Sequence, residues 1–464
     1  MFGLNPIFTT DSYKASHFLQ YPPGTQYVTS YVEPRHNKTG NVDEVVFFGL
    51  QAYLRNLQAV SHYDVDAAKQ FFSDHGVSFN ENGWRRIVDV HGGRLPIKIE
   101  ALPEGTVHGF GVPQVQVQNT DPEFPWLTSY VETALLRAVW YPSTVASVSR
   151  SVKKTIVEYL EKTCDALDWK NTILPFRLHD FGARGASSSE TAMLGGMAHL
   201  VNFMGSDTVE GVLGARRYYD EPMAAFSIPA SEHSTITSWG PDHELDAHTN
   251  MLDQFLKPGS LVASVSDSYD LFRCLSEYWG SALRDRIVNS GGTVVVRPDS
   301  GDPVEIVLKT LEILGDKFGF TVNSKGFRVL HPSIRVIQGD GVNPDSIKRI
   351  LFNMYLKGWS AENVAFGMGG ALLQGVNRDT LGYAMKANSV VIDGEDRPVS
   401  KNPKTDPGKA SKSGQQAVAR VNDVLTAVPL NELGGRVNYL RVVYRNGTIM
   451  NETTFAEVRS RAAV

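Results

Sequence analysis

The sequence predicts an α/β protein in which a (β/α) barrel-like domain is joined to an α+β domain built from both ends of the chain. Three observations carry this. From about Phe176 to Lys386, short apolar runs alternate with Gly-rich polar clusters and helix-like stretches, and strands alternating with helices imply parallel strands joined by crossovers. The residues before this region and after it lack that alternation. Finally, 464 residues with 42% hydrophobic and 20% charged composition can bury a large core without disulfide or metal staples.

Each element follows from its local pattern. Gln26 to Glu33, Val45 to Phe48 and Leu95 to Ala101 read as strands, and Asp64 to Phe72, Trp126 to Ala138 and Val145 to Leu167 as helices. The barrel runs end in His179-Asp180-Phe181-Gly182, Asn202-Phe203-Met204-Gly205, Ser227-Ile228-Pro229-Ala230, Val265-Ser266-Asp267, Val296-Arg297-Pro298-Asp299, Ile337-Gln338-Gly339-Asp340 and Phe366-Gly367-Met368-Gly369. An eighth run, Tyr383 to Val391, is expected to close the set. Pro303 to Leu314 places Val304, Val307, Leu308, Leu311 and Leu314 on one helix face, behind a Ser300 or Asp302 cap. Asp393 to Gln416, with three prolines and four lysines, reads as a long loop, either a lid or a linker. Arg436 to Thr453 reads as a hairpin turning at Asn446-Gly447. The expected domains are 1–170 with 387–464 (α+β, flanking and dimerising) and 171–386 (barrel-like, catalytic). An open doubly wound sheet is the alternative architecture. Either one places ligands at the C-terminal ends of the strands.

Charge and composition narrow the function. The chain carries 45 basic and 50 acidic residues, a formal net charge of −5, which gives no reason to expect nucleic-acid or membrane partners. Cys164 and Cys274 are too few for a disulfide framework or a Cys-rich zinc site and fit a reducing compartment. No run reaches the ~18 apolar residues of a membrane helix, and the N-terminus lacks the pattern of a signal peptide. The expected location is cytoplasmic.

Several motifs sit at predicted strand ends. In Val294 to Gly301 a strand delivers Arg297 and Asp299 to its end; Arg can fork onto phosphate, and Asp can accept from sugar hydroxyls or hold a hydrated metal ion. A local ion pair with a helix cap would use the same residues. Gln338-Gly339-Asp340-Gly341 and Gly367-Met368-Gly369-Gly370 follow apolar strands and are either anion-wrapping turns or ordinary tight ones. Arg378, one helix further on, would add a full charge. Ser231-Glu232-His233-Ser234 offers a histidine for acid–base chemistry or phosphorylation, or merely a half-buried imidazole. There is no GxxxxGK[ST] loop, and His243 and His248 are five apart, so on a helix their rings splay and a zincin site is excluded. The residues by themselves read as a barrel enzyme acting on a sugar phosphate or nucleotide, with Asp-bound Mg²⁺. A phosphate-binding regulatory module without catalysis is the alternative.

Longer motifs carry a resemblance. Thr10-Asp11-Ser12-Tyr13-Lys14, Gln20-Tyr21-Pro22-Pro23, His179 to Gly185, Pro229 to Thr235, Val265 to Asp270, Arg297 to Gly301, Ile337 to Gly341 and Phe366-Gly367 with Gly369-Gly370 resemble, in order over nearly the whole chain, the nicotinamide phosphoribosyltransferases of the type II phosphoribosyltransferase family. Nicotinate phosphoribosyltransferases share the fold and chemistry. The resemblance implies displacement of pyrophosphate from phosphoribosyl pyrophosphate by nicotinamide. It also implies Mg²⁺, ATP hydrolysis through a phosphohistidine, and a homodimer with shared active sites.

It further implies roles for individual residues. His233 is the phosphorylated histidine, Asp267 and Asp299 hold Mg²⁺–pyrophosphate, and Arg297 lies over the base and near phosphate. Phe181 and the partner's Tyr13 sandwich the pyridine ring, and Asp207 accepts from the carboxamide. Asp11 belongs to the N-terminal substrate motif. Asp299 and Asp340 read ribose hydroxyls, and Gly339, Gly369, Gly370 and Arg378 cradle the 5′-phosphate. Arg184, Lys386, Lys401, Lys409 and the partner's Arg35 supply cations around the phosphates. Met368 and Ala384 stand where relatives commonly carry serine, which removes a phosphate hydrogen bond at each place.

Overall fold

The computed structural model describes residues 5–38, 40, 42–406 and 409–464. It forms two compact units, one of residues 1–147, 214–222 and 376–463, the other of residues 148–213 and 223–375.

The second unit is the barrel. Its six strands are ordered Gly205–Ser206, Leu178–Asp180, Val364–Met368, Ile334–Gln338, Thr293–Arg297 and Leu261–Val265, and every neighbouring pair is parallel. The Ser227–Ala230 run is not a regular strand. Its segment makes parallel bridges to both edges of the sheet, Phe226 with Gly205 and Ala230 with Ala263, so the sheet curls until its two edges share one neighbour. Ala263, Val295 and Ile337 are buried together in this unit, with Phe181, Ile228 and Ala365 packed on them. Inward residues from successive strands fill a parallel barrel in this way. The helix Pro303–Phe318 is held at its start by Asp302, whose carboxylate accepts from the N–H groups of Val304 and Glu305 at 3.0 and 3.1 Å.

The eighth run requires correction. Ala384–Ile392 does not join the barrel; it pairs antiparallel with Thr25–Glu33 in the other unit. Five of its nine residues are buried, and a short run ending in Val390-Val391-Ile392 serves a parallel or an antiparallel sheet equally. The other unit's seven-stranded sheet runs Glu395–Pro398, Ala384–Ile392, Thr25–Glu33, Val115–Asn119, Ile97–Ala101, Arg441–Arg445, Thr448–Ile449, and it is antiparallel throughout.

The long loop after Ile392 is also shorter than expected. Asp393 and Gly394, at φ 51° and 82°, turn the chain into Glu395–Pro398, which pairs back on Ser389–Ile392. Asp-Gly supplies the two positive φ values that a two-residue hairpin turn needs. Within this loop, residues 407 and 408 lie outside the described residues. Asn446 and Gly447, at φ 49° and 91°, turn the C-terminal hairpin in the same way.

Two predicted helices are one. Glu132–Thr163 is continuous and carries Pro142 in its interior. The Pro142 ring packs on Gly49, where a Cβ would stand 2.3 Å from the Pro142 Cγ. Beside it, the Ser143 hydroxyl bonds both the N–H and the carbonyl of Phe48. Among the described residues, no helix is long and apolar enough to cross a membrane.

Candidate active site

The C-terminal rim of the barrel gathers most of the singled-out residues of that unit. Arg297 ends its strand with the guanidinium mostly buried, 3.4 Å from both the Asp299 carboxylate and the Ser231 carbonyl. The Asp299 N–H donates to Asp267 Oδ2 at 3.0 Å, and the Ser300 hydroxyl donates to the same oxygen. The other oxygen, Asp267 Oδ1, is buried and has no hydrogen-bond partner among the described residues. It lies 3.8 Å from His233 Nε2, which is 3.4 Å from Asp299 Oδ2. His233 Nδ1 is 3.1 Å from the Ser268 hydroxyl. His233 opens the short helix His233–Thr237, whose start is fixed by the Glu232 N–H donating to Thr235 Oγ1. Two carboxylates, one with an orphaned buried oxygen, form a donor set suited to a hard divalent cation.

Phe181 follows the strand Leu178–Asp180 and donates its N–H to the Met368 carbonyl at 3.0 Å. Its ring lies on bare backbone. A Cβ on Gly367 would stand 2.0 Å from Phe181 Cε2, and one on Gly339 would stand 3.3 Å from it. The two glycine-rich turns therefore make room for an aromatic face. At the second turn, no atom lies within 4 Å of where a Gly370 Cβ would stand, so Gly370 is open on that side. The backbone of Gly369, by contrast, starts the four-residue helix Gly370–Leu373. Arg184, in the turn Ala183–Gly185, is exposed, and so is Asp340, whose carbonyl accepts from Gln338 Nε2 at 2.8 Å.

Asp207 follows the strand Gly205–Ser206. Its N–H donates to the Asp180 carbonyl at 3.0 Å, and its carboxylate accepts from Ser227. Asp180 is a residue that sequence reasoning passed over. It is fully buried, with Oδ1 accepting from the Gly182 N–H at 2.7 Å and Oδ2 without a hydrogen-bond partner among the described residues. Burial pushes its carboxyl up to about 6, and the charges of Asp207 and Glu210 act in the same direction. Ser268 and Ser231 lie in the quoted motifs but were given no role of their own. They are ordinary serines in sequence and acquire a role only through what lies beside them.

In the α+β unit, four of the expected cations share one neighbourhood. Burial lowers the Lys386 ammonium below its usual range, Arg35, Lys401 and Arg378 push the same way, and Glu132 opposes. Arg35 is oriented by its Nε donating to the Gly382 carbonyl at 2.9 Å, and Lys401 by two backbone hydrogen bonds with Ser411. Lys409 instead pairs with Asp406 at 3.0 Å. The Asp11 carboxylate accepts from the Thr133 hydroxyl at 2.6 Å. Tyr13 stands 59% exposed, with the Lys14 ammonium 5.2 Å from its ring centroid.

Residues 176–448 match the nicotinate phosphoribosyltransferase (NAPRTase) family, and residues 5–99 match the nicotinamide phosphoribosyltransferase N-terminal domain. The chain belongs to the nicotinate phosphoribosyltransferase family. Within it, a nicotinamide phosphoribosyltransferase of Xanthomonas campestris pv. campestris (strain 8004) is 50% identical over 466 residues, covering 99% of this chain and 98% of the relative. One of Acinetobacter baylyi is 32% identical over 100% of this chain and 98% of the relative. The fold is that of the nicotinate-nucleotide pyrophosphorylase of Pyrococcus furiosus, with TM-score 0.62 and 18% identity over 98% of this chain and 94% of that one. It is likewise that of human nicotinic acid phosphoribosyltransferase, with TM-score 0.59 and 17% identity over 98% and 92%. Family membership makes the chain an enzyme of the pentosyltransferase class.

Two predictions follow from this geometry. Gly367→Ala forces the Phe181 ring off its seat and costs about 1–3 kcal/mol of stability, whereas Gly339→Ala, with more room, costs less. Urea unfolding of the two variants checks this, and equal costs would refute the seating. The second concerns pH. Folded Asp180 keeps its proton up to about pH 6, whereas an unfolded aspartate releases it near ~4. The folded state therefore binds more protons between these values, and this group makes stability fall as pH rises from about 4 to about 6, by roughly 3 kcal/mol at most. Asp180→Asn should flatten that part of the urea-midpoint profile; a wild-type slope in the variant would contradict it.

Proposed function

We propose that the enzyme transfers the phosphoribosyl group of phosphoribosyl pyrophosphate to nicotinamide, giving nicotinamide mononucleotide and pyrophosphate for NAD salvage, and that it couples ATP hydrolysis to this through His233. The observation that carries the choice of base is Asp207, whose N–H bonds the strand that presents Phe181 and whose carboxylate accepts from Ser227. A carboxylate there accepts from a carboxamide NH₂ and repels the carboxylate of nicotinate. The names of the Xanthomonas and Acinetobacter relatives agree with it.

In the transfer, the bond from the anomeric carbon to pyrophosphate breaks and the leaving oxygen keeps its electron pair. The pyridine nitrogen supplies the pair for the new bond and becomes cationic, so no proton moves. The protein's task is placement and charge stabilisation. The flat face of Phe181 holds the ring, and the partner subunit's Tyr13 closes on it in a homodimer. The exposure of this tyrosine supports that role. Asp299 and Asp340 accept from ribose hydroxyls, Gly339, Gly369 and Gly370 receive the 5′-phosphate, and Arg297 and Arg184 meet phosphate charge. Asp11 orders the N-terminal substrate segment through Thr133. Arg35, Arg378, Lys386 and Lys401, gathered in one chain, and Lys409 supply positive charge for polyphosphate. Burial lowers the Lys386 ammonium and Arg35, Lys401 and Arg378 push it the same way against Glu132, a crowding that a bound anion would relieve.

Asp267 and Asp299 are the residues that would hold Mg²⁺, and the orphaned Asp267 oxygen supports this. When bound, the ion would offset the charge of the leaving pyrophosphate. In the ATP reaction the terminal phosphoryl group passes to an imidazole nitrogen of His233, ADP leaves, and water later carries the group off as phosphate. Asp299 and Asp267 favour a proton on Nε2, which leaves the Nδ1 lone pair beside Ser268.

Turnover of nicotinamide and nicotinate with phosphoribosyl pyrophosphate and Mg²⁺ tests the reading. Nicotinamide should have the higher kcat/KM, and faster use of nicotinate would overturn the choice of base. Asp207→Asn should narrow the preference by about tenfold or more, roughly 1.4 kcal/mol; an unchanged ratio would remove Asp207 from the argument. His233→Ala should abolish stimulation by ATP while basal transfer persists. ATP coupling retained in that variant would exclude a phosphohistidine.

A further inference from the structure

Behind the rim, the barrel unit holds a second group of titratable side chains that the transfer reaction does not use. Glu244 and His248 lie four residues apart on the helix Glu244–Phe255 and so share one face. Cys274 opens the π-helical stretch Cys274–Ala282, a geometry that recurs at functional sites. One ligand atom from each of the three lies within 4.8 Å of the others, and all three residues are buried.

We propose that Glu244, His248 and Cys274 bind one zinc ion. The donor spacing supports it. His248 Nε2 is 3.4 Å from Cys274 Sγ, and a tetrahedral zinc with Zn–S of about 2.3 Å and Zn–N of about 2.0 Å separates those atoms by roughly 3.5 Å. The imidazole is already oriented as a metal-binding histidine is, with its other nitrogen, Nδ1, 3.0 Å from the Ser264 hydroxyl. Trp279 lies against the ring at a centroid distance of 4.5 Å and fixes its plane.

The decisive observation is Glu244. It is 3% exposed, and its Oε1 has no hydrogen-bond partner among the described residues. A thiol donating to an imidazole would account for Cys274 and His248 as ordinary packed residues. It would leave one oxygen of the buried carboxylate without a hydrogen bond, with the Arg273 charge acting on it only through space. A divalent ion resolves this. Its two charges are matched by one thiolate and one carboxylate, the thiol proton leaves to solvent on binding, and the buried cluster becomes neutral. A mixed sulfur, nitrogen and oxygen set selects a borderline cation such as zinc over Mg²⁺ or Ca²⁺, which prefer oxygen alone.

The position gives the ion a structural purpose. The Ser264 hydroxyl is 3.1 Å from that of Ser231, whose carbonyl accepts from Arg297. The Trp279 indole donates to the Ser266 hydroxyl at 3.0 Å, one residue before Asp267. An ion at this cluster therefore fixes the backs of the two loops that carry His233 and Asp267.

The test uses the full-length protein, stripped with a chelator and titrated with Co²⁺ in the absence of substrates. One equivalent per chain should bind with a thiolate-to-cobalt charge-transfer band, and Zn²⁺ should displace it. Cobalt at Asp267 and Asp299 gives no such band, so the rim site does not interfere. Cys274→Ser should abolish the band and Cys164→Ser should keep it. Glu244→Gln, which preserves the side-chain shape, should weaken cobalt binding by roughly tenfold or more. Absence of the band in folded wild-type protein, its persistence in Cys274→Ser, or unchanged affinity in Glu244→Gln would each overturn the proposal.

Discussion

The backbone N–H of Asp299 donates to the Asp267 carboxylate across 3.0 Å, and the rim of the barrel is organised around that bond. It ties together the loops leaving two adjacent parallel strands, Leu261–Val265 and Thr293–Arg297. With Oδ2 of Asp267 committed to Asp299 and Ser300, Oδ1 is left facing His233. The bond also sets the direction of Asp299, so that its side chain meets both Arg297 and His233. Remove it, and the acid pair, the imidazole and the guanidinium lose their common reference. Parallel strands make this possible because they deliver successive loops to one end.

The chemistry is divided by type between the two units. The barrel carries the directional groups: an aromatic face seated on glycine, carboxylates with fixed hydrogen bonds, and one imidazole. The α+β unit carries crowded cations around Lys386. Crowding like charges costs stability in the unliganded protein, and an anion bound there relieves it. A net charge of −5 is thus compatible with strong local affinity for polyphosphate. Bulk charge describes the field far from the surface, and a site responds to the charges within a Debye length.

What could be read from sequence divides along similar physical lines. The alternation of apolar runs and helical faces located the parallel strands, Asp302 announced its helix and Asn446-Gly447 its turn, because each of those signals is local. The two helices read at Trp126 to Ala138 and Val145 to Leu167 proved continuous over Glu132–Thr163, and what accommodates Pro142 inside that helix is Gly49, distant in sequence. The run at Ala384–Ile392 misled because nothing in an apolar β-branched segment names its partner strand. Asp393-Gly394 carried the same hairpin signal as Asn446-Gly447, but the lysines and prolines after it obscured a turn that the backbone makes. His233, Asp267, Arg297 and Asp299 stood out in sequence because they fall at strand ends. Asp180 also ends a strand but was given no role, since burial and an orphaned oxygen are facts of packing, and the Glu244–His248–Cys274 group is assembled from a helix face and a π-turn that spacing alone does not join.

The strand order of the α+β sheet also bears on vectorial synthesis. Thr25–Glu33 has Val115–Asn119 on one side, but its other neighbour is Ala384–Ile392. As the chain leaves the ribosome, that edge waits from residue 33 to residue 384, while the whole of the barrel unit, ending at residue 375, is made in between. The nascent protein therefore passes through a stage with a finished barrel and an unpaired β-edge. Such edges template pairing with other chains, and contacts this distant in sequence form late. Truncated or stalled products ending before residue 384 should be the aggregating species, with Thr25–Glu33 as the segment through which they associate.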